Sequence, residues 1–83
     1  MYEVRILPRA VKDIRRLPQG YSRLVSQQID ELGVEPRSHD SRKLRGRADY
    51  RVRVGVYRIL YEIDDEEKSV TVYRVKHRRE AYR

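Results

Sequence analysis

Three arginines, Arg51, Arg53 and Arg58, stand in two alternating stretches of the chain and share a side-chain type suited to one kind of chemistry. A guanidinium is planar, stays charged, and offers a fork of donors that fits a phosphate bidentately. Arg51 and Arg53 alternate with Tyr50, Val52 and Val54, and Arg58 alternates with Tyr57, Ile59 and Tyr61. If these runs are neighbouring strands, the arginines project together from one face, because alternate residues point oppositely and adjacent strands lie only about 4.8 Å apart. Such crowding of like charge costs stability unless an anion sits between the side chains. A solvated face that is simply basic is the plain alternative, since antiparallel sheets commonly leave one face wet.

The charge pattern supports an anionic partner. Net charge is +7, with a pI near 10.1. The excess is clustered: residues 42–58 hold seven basic side chains against Asp49, and residues 74–83 hold five against Glu80. Sixteen of the 20 basic residues are Arg, which favours nucleic acid over nonspecific solubility. A genome rich in Arg codons would account for the number but not for the clustering.

The elements that must position these residues follow from periodicity. Residues 2–7 alternate as a half-buried strand. Pro8 suits the first turn of a helix carrying Ala10, Val11, Ile14 and Leu17, which Pro18 and Gly20 break. A second helix has Tyr21, Leu24, Val25, Ile29 and Leu32 as its stripe, with Gly33 placed as a left-handed cap. Residues 34–49 read as a loop, followed by strands from Tyr50, from Tyr57 and over Ser69–Val75, with the acidic run 64–67 as a turn. The expectation is one α+β domain spanning residues 1–83. Its order is β-α-α-β-β-β, with a helix hairpin packed on one face of a mainly antiparallel four-stranded sheet. Some of Leu60, Val70 and Val72 then fall on the open face, where a covering partner would be needed.

With 83 residues and no cysteine, neither disulfides nor thiolate metal sites hold the fold, a large internal cavity is not expected, and a cytosolic address is natural. No apolar run approaches the ~20 residues of a membrane helix, and the start lacks a secretory signal, so membrane roles are disfavoured.

With KLRG at 43–46, YRVRV at 50–54, YRILYEI at 57–63 and VKHRREAYR at 75–83, the sequence resembles the RelE branch of the RelE/ParE toxin superfamily over nearly its whole length. The resemblance implies a toxin of a type II toxin–antitoxin pair. It would cut mRNA on the ribosome through attack by the 2′-hydroxyl, leave a 2′,3′-cyclic phosphate, and need no metal or other cofactor. It also implies neutralisation by a cognate antitoxin, in a toxin–antitoxin hetero-oligomer; the +7 charge makes an acidic antitoxin the expectation, and the lack of cysteine a cytoplasmic complex. Position by position, Arg58 matches the arginine on the scissile phosphate, Arg78 the second phosphate-directed arginine, and Tyr82 the C-terminal tyrosine that stacks on or orients the nucleotide. Arg51 and Arg53 stand where well-studied members carry two lysines, one of them proposed as general base. Lys43, Arg45, Arg47, Lys76, Arg79 and Arg83 are further candidates for holding RNA.

In-line attack builds negative charge on the phosphoryl oxygens, which fixed cations stabilise. Arginine cannot readily accept the nucleophile's proton. His77 and Tyr82 are the remaining titratable candidates. Strand geometry, however, turns His77 away from the face of Arg78, toward the core side. His39 lies in the loop with no partners for metal binding. Two competing functions are a ParE-type gyrase inhibitor and a small RNA-binding module. The module would need exposed aromatics among the basic strand residues, and the tyrosines there follow the core periodicity.

Overall fold

The computed structural model describes residues 1–38, 40–44 and 49–80. The elements are β1 (Glu3–Ile6), α1 (Pro8–Arg15), α2 (Gln19–Leu32), β2 (Ser41–Lys43), β3 (Asp49–Val54), β4 (Tyr57–Asp64) and β5 (Ser69–His77). The sheet order is β1-β5-β4-β3-β2. Only β1 runs parallel to its neighbour, β5; the other three pairings are antiparallel. The helix pair on one face of a mainly antiparallel sheet is the α+β architecture expected, with a fifth strand added. That strand, β2, falls in the segment read as a loop: it has no apolar period of its own and becomes a strand by pairing with the edge of β3.

Pro8 opens α1, where its missing N–H costs nothing, and the preceding Leu7 N–H is used by Val72 O instead. α1 rests mainly on β5 and α2 on β3. Ala10, Val25, Ile29 and Leu32 from the helices meet Val52, Ile59, Tyr61, Ile63, Val70, Val72 and Val75 from the sheet in one buried cluster. Gly20 does not break the chain but lies in the first turn of α2, which Pro18 precedes as N-cap.

Gly33 ends α2 in right-handed geometry, with φ −67° and ψ −26°, not as the left-handed cap expected. Its glycine character answers a close approach instead: a Cβ there would lie 3.1 Å from Val4 Cγ2 and 3.3 Å from Tyr2 O. The Tyr2 N–H donates to Gly33 O at 2.7 Å, tying β1 to the end of α2.

A register shift between Leu60 and Tyr61 corrects the expectation for the last strand. Leu60 pairs with Arg74 but Tyr61 with Val72, so Tyr73 is an extra residue on β5. Val70 and Val72 therefore face the helices with Ile63 and Tyr61, wholly buried in the core, and not the open side. Leu60 does lie on the arginine face, 7% exposed, with Arg51 and Arg74 as its cross-strand neighbours. Long arginine stems can cover such an apolar group while their heads stay in water.

Past the end of β1 the edge of β5 is open, and α1 closes it. Asp13 Oδ2 accepts hydrogen bonds from Arg74 Nε at 2.8 Å and from the Val75 N–H at 2.9 Å, while Oδ1 accepts from Arg74 Nη2 at 3.2 Å. Burial pushes the Asp13 carboxyl up, but the bonds from Arg74 and Val75, with the charges of Arg74 and Lys76, outweigh it and hold the group below its ordinary pKa.

Candidate functional site

The antiparallel register lays the basic side chains out in rows across the face that the helices leave uncovered. Arg53 pairs with Arg58, and Arg58 in turn with Lys76. One step along the strands, Arg42 pairs with Arg51, which pairs with Leu60. Asp40 immediately precedes β2, and the β2–β3 register continued by one residue sets it opposite Arg53. The row therefore runs Asp40, Arg53, Arg58, Lys76, with neighbours about 4.8 Å apart at the backbone.

These rows form a cleft of about 420 Å³ lined by Asp40, Arg42, Arg51, Arg53, Gly55 and Arg58. Arg58 lies at its floor, only 5% exposed. Its Nη1 donates to Tyr57 O at 3.3 Å, and among the described residues no carboxylate forms a salt bridge with it. A buried guanidinium without a compensating anion is electrostatically costly, so the cleft favours an anionic ligand.

The β3–β4 hairpin is held in place by its turn. Gly55 adopts φ +59°, and a Cβ there would lie 2.7 Å from Tyr21 Cε1, so the turn rests directly on α2. Tyr57 continues this contact, with its ring 4.8 Å from that of Tyr21 and 5.6 Å from that of His77, both edge-on. The Arg78 N–H donates to Val56 O at 2.7 Å, anchoring the exposed Arg78 beside the same turn.

A second anchor sits at the other end of β3. The Arg37 guanidinium donates to both carboxylate oxygens of Asp65, at 3.0 and 2.8 Å, and its Nε donates to the Tyr50 hydroxyl at 3.1 Å. The Tyr2 hydroxyl donates to Asp65 Oδ1 at 2.6 Å, and the Tyr61 hydroxyl to Pro36 O at 2.6 Å. Hydrogen bonds from Arg37 and then Tyr2 hold the Asp65 pKa down at about 2, whereas burial pushes the Tyr61 hydroxyl up to about 12. The loop leading to Asp40 and β2 is thus tied to the sheet before it reaches the cleft.

Of the residues expected at a site, the structure brings Arg51, Arg53 and Arg58 into the cleft. Lys76 adjoins Arg58 in the register but lines a separate hollow of about 270 Å³ with Asp13, Arg74, His77 and Glu80. Lys43 alternates away from Arg42 and pairs with Tyr50. Arg79 is exposed in the turn after β5, its N–H donating to His77 Nδ1 at 3.2 Å. His77 faces the helix side against Tyr57, in keeping with the alternation. His39, Arg45, Arg47, Tyr82 and Arg83 lie outside the described residues. Asp40 and Arg42 are cleft residues that sequence reasoning did not single out; their spacing of two was the only signal, in a segment too short to read as a strand.

Known proteins share this fold. A family profile described as the ParE toxin of type II toxin–antitoxin system, parDE, matches residues 4–82. The chain is 36% identical to Toxin RelG of Mycobacterium tuberculosis over 86 residues, which span 99% of this chain and 97% of that one. Among solved structures, the archaeal RelE–RelB complex from Pyrococcus horikoshii superposes with a TM-score of 0.83 at 31% identity, covering 96% of this chain and 98% of that one. The RelBE2 toxin–antitoxin complex from Mycobacterium tuberculosis gives 0.81 at 34% identity, covering 92% and 96%. The chain belongs to the RelE/ParE superfamily of type II toxin–antitoxin toxins and is of the RelE type.

Proposed function

We propose that this toxin, as one domain over residues 1–83, is a ribosome-dependent, metal-independent endoribonuclease that cleaves mRNA in the cytoplasm by attack of a 2′-hydroxyl on the adjacent phosphate. The observation that carries the reading is Arg58, a buried guanidinium at the floor of an arginine-lined cleft with no salt-bridge partner among the described residues. Arg58 and Arg53 would hold the scissile phosphate and stabilise the charge that develops on it, with Arg51 and Arg42 extending the contact along the RNA backbone. Arg78, anchored beside the hairpin turn, would add a second phosphate contact, and Tyr82 would stack on or orient a base. The ribosome would supply alignment by gripping the message. Lys76, Arg79 and the basic residues 43, 45, 47 and 83 would contribute longer-range attraction.

Two of the solved relatives are a RelBE2 toxin–antitoxin complex and a RelE–RelB complex, and the same kind of partner suits this chain. An acidic antitoxin would neutralise the arginine face and block the cleft, with charge attraction speeding association. Val70 and Val72 belong to the core, so occlusion rests on charge and on whatever apolar surface lies elsewhere.

The test is to add the purified chain to translating ribosomes and map the mRNA ends. Internal cuts with 5′-hydroxyl and 2′,3′-cyclic phosphate termini are expected, with none on free mRNA. The ParE description of the matching profile favours one second reading, inhibition of DNA gyrase. Intact mRNA together with blocked supercoiling would establish that reading instead.

A further inference from the structure

The arginine cleft leaves one chemical requirement unmet. A 2′-hydroxyl becomes a nucleophile only as its proton departs, and guanidinium groups do not take protons in a protein. His77 is turned to the helix side, its ring against Tyr57 and its Nδ1 already accepting the Arg79 N–H. Tyr57 packs edge-on between Tyr21 and His77 on that same side. Lys76 lines the hollow shared with Asp13 and Glu80, across the row from the cleft. Among the described residues, one group lining the cleft can accept a proton: the carboxylate of Asp40, exposed at the entry to β2. The charged groups that line the cleft with it, among the described residues, are Arg42 on its own segment, Arg51 and Arg53 from β3, and Arg58 from β4. Continued register puts Asp40 at the end of the row that contains Arg53 and Arg58, one strand from the first and two from the second. A phosphate held between those two guanidiniums would lie one to two strand spacings from Asp40, roughly 5–10 Å at the backbone, a span that a ribose and a carboxylate side chain can bridge.

We infer that Asp40 is the proton acceptor of the cleft, a catalytic carboxylate that takes the 2′-hydroxyl proton while Arg53 and Arg58 hold the phosphate. This rests on the RNA-cleavage reading above. The O2′–H bond breaks as its proton passes to a carboxylate oxygen, and O2′ bonds to phosphorus. The P–O5′ bond breaks with its electron pair on O5′, which is protonated by water. Asp40 then returns its proton to solvent, so the products are a 2′,3′-cyclic phosphate and a 5′-hydroxyl with nothing else consumed.

The inference has an unusual signature because Asp40 is an anion in a cationic site. Removing its charge should help the site hold RNA while slowing the chemical step, two effects of opposite sign. The experiment measures single-turnover cleavage of ribosome-bound mRNA and, separately, affinity for mRNA-programmed ribosomes, using the full chain as wild type, Asp40→Asn and Asp40→Glu. Thermal melts confirm that each variant folds. Asp40→Asn is expected to bind as tightly as wild type or more tightly, yet to cleave about 10²-fold more slowly or worse. Asp40→Glu should recover cleavage to within about tenfold of wild type. Unchanged or faster cleavage by Asp40→Asn would make the carboxylate a mere counter-charge. Weaker binding that accounts for the slower rate, or no recovery with Glu, would make it structural, and either result overturns the inference. Both leave the RNA-cleavage reading standing, whereas a wild-type chain that cuts no mRNA overturns that reading and the role of Asp40 with it.

Discussion

Arg53 on β3 and Arg58 on β4 are direct cross-strand partners, two like charges set opposite each other beside the two-residue turn at 55–56. Like charges so placed destabilise a sheet by about 0.2–1 kcal/mol. The pair is understandable where an anion spends time between them, since the ligand then offsets what the empty site costs. Arg53→Thr, which keeps a β-favouring residue, should therefore raise stability by about 0.5 kcal/mol, or ~3 °C in melting temperature. The same variant should cleave more slowly and gain less than wild type from added sulfate. Thermal melts with and without sulfate, beside the cleavage assay, check both halves.

Arg58 separates packing from charge because its stem is buried and its head has no salt-bridge partner among the described residues. Arg58→Met keeps most of the apolar stem and removes the cation. Its stability should match or exceed wild type in urea unfolding, while ribosome-dependent cleavage falls about 10²–10³-fold. Arg78 is exposed, so Arg78→Ala should melt as wild type does and lose cleavage to a similar degree.

Gly55 couples the hairpin turn to α2. An alanine there meets both a positive φ and the Tyr21 ring, with 2.7 Å to Cε1. Gly55→Ala should cost more than about 1 kcal/mol, and it should also reduce cleavage by shifting the turn that sets Arg53, Arg58 and Arg78. Combining it with Tyr21→Ala removes the clash but not the φ strain, so partial recovery of stability in a double-mutant cycle is expected.

The Arg37–Asp65 pair predicts an acid dependence. With the Asp65 pKa held at about 2 in the folded chain and near ~3.9 when unfolded, its contribution is fully present above about pH 4. The contribution is lost as pH falls through the folded value. The gap in urea midpoint between wild type and Asp65→Asn should accordingly be constant from neutral pH down to roughly pH 4–5 and close toward pH 2. Unfolding curves across that range, read by circular dichroism, test it.

Much of this molecule is a matter of local period. The alternation of Tyr50, Val52 and Val54 against Arg51 and Arg53, and of Tyr57, Ile59 and Tyr61 against Arg58, fixes which side chains share a face once the segments are strands. That suffices to place the three arginines together and to turn His77 away, because such inferences depend only on neighbours along the chain. Three features depend on partners far away in sequence. β2 is a strand because β3 offers an unpaired edge, and with it Asp40 and Arg42 enter the cleft; a spacing of two within 40–43 is too short a pattern to say so. The extra residue Tyr73 reverses the face of Val70 and Val72, and a bulge is invisible to a count of alternating residues until the partner strand is in place. Gly33 is small because β1 crosses against it, a contact between segments some 30 residues apart. A period of two or 3.6 is written into the order of residues, whereas edges, bulges and close crossings come into being only when separate segments pack and compete for the same hydrogen bonds and space.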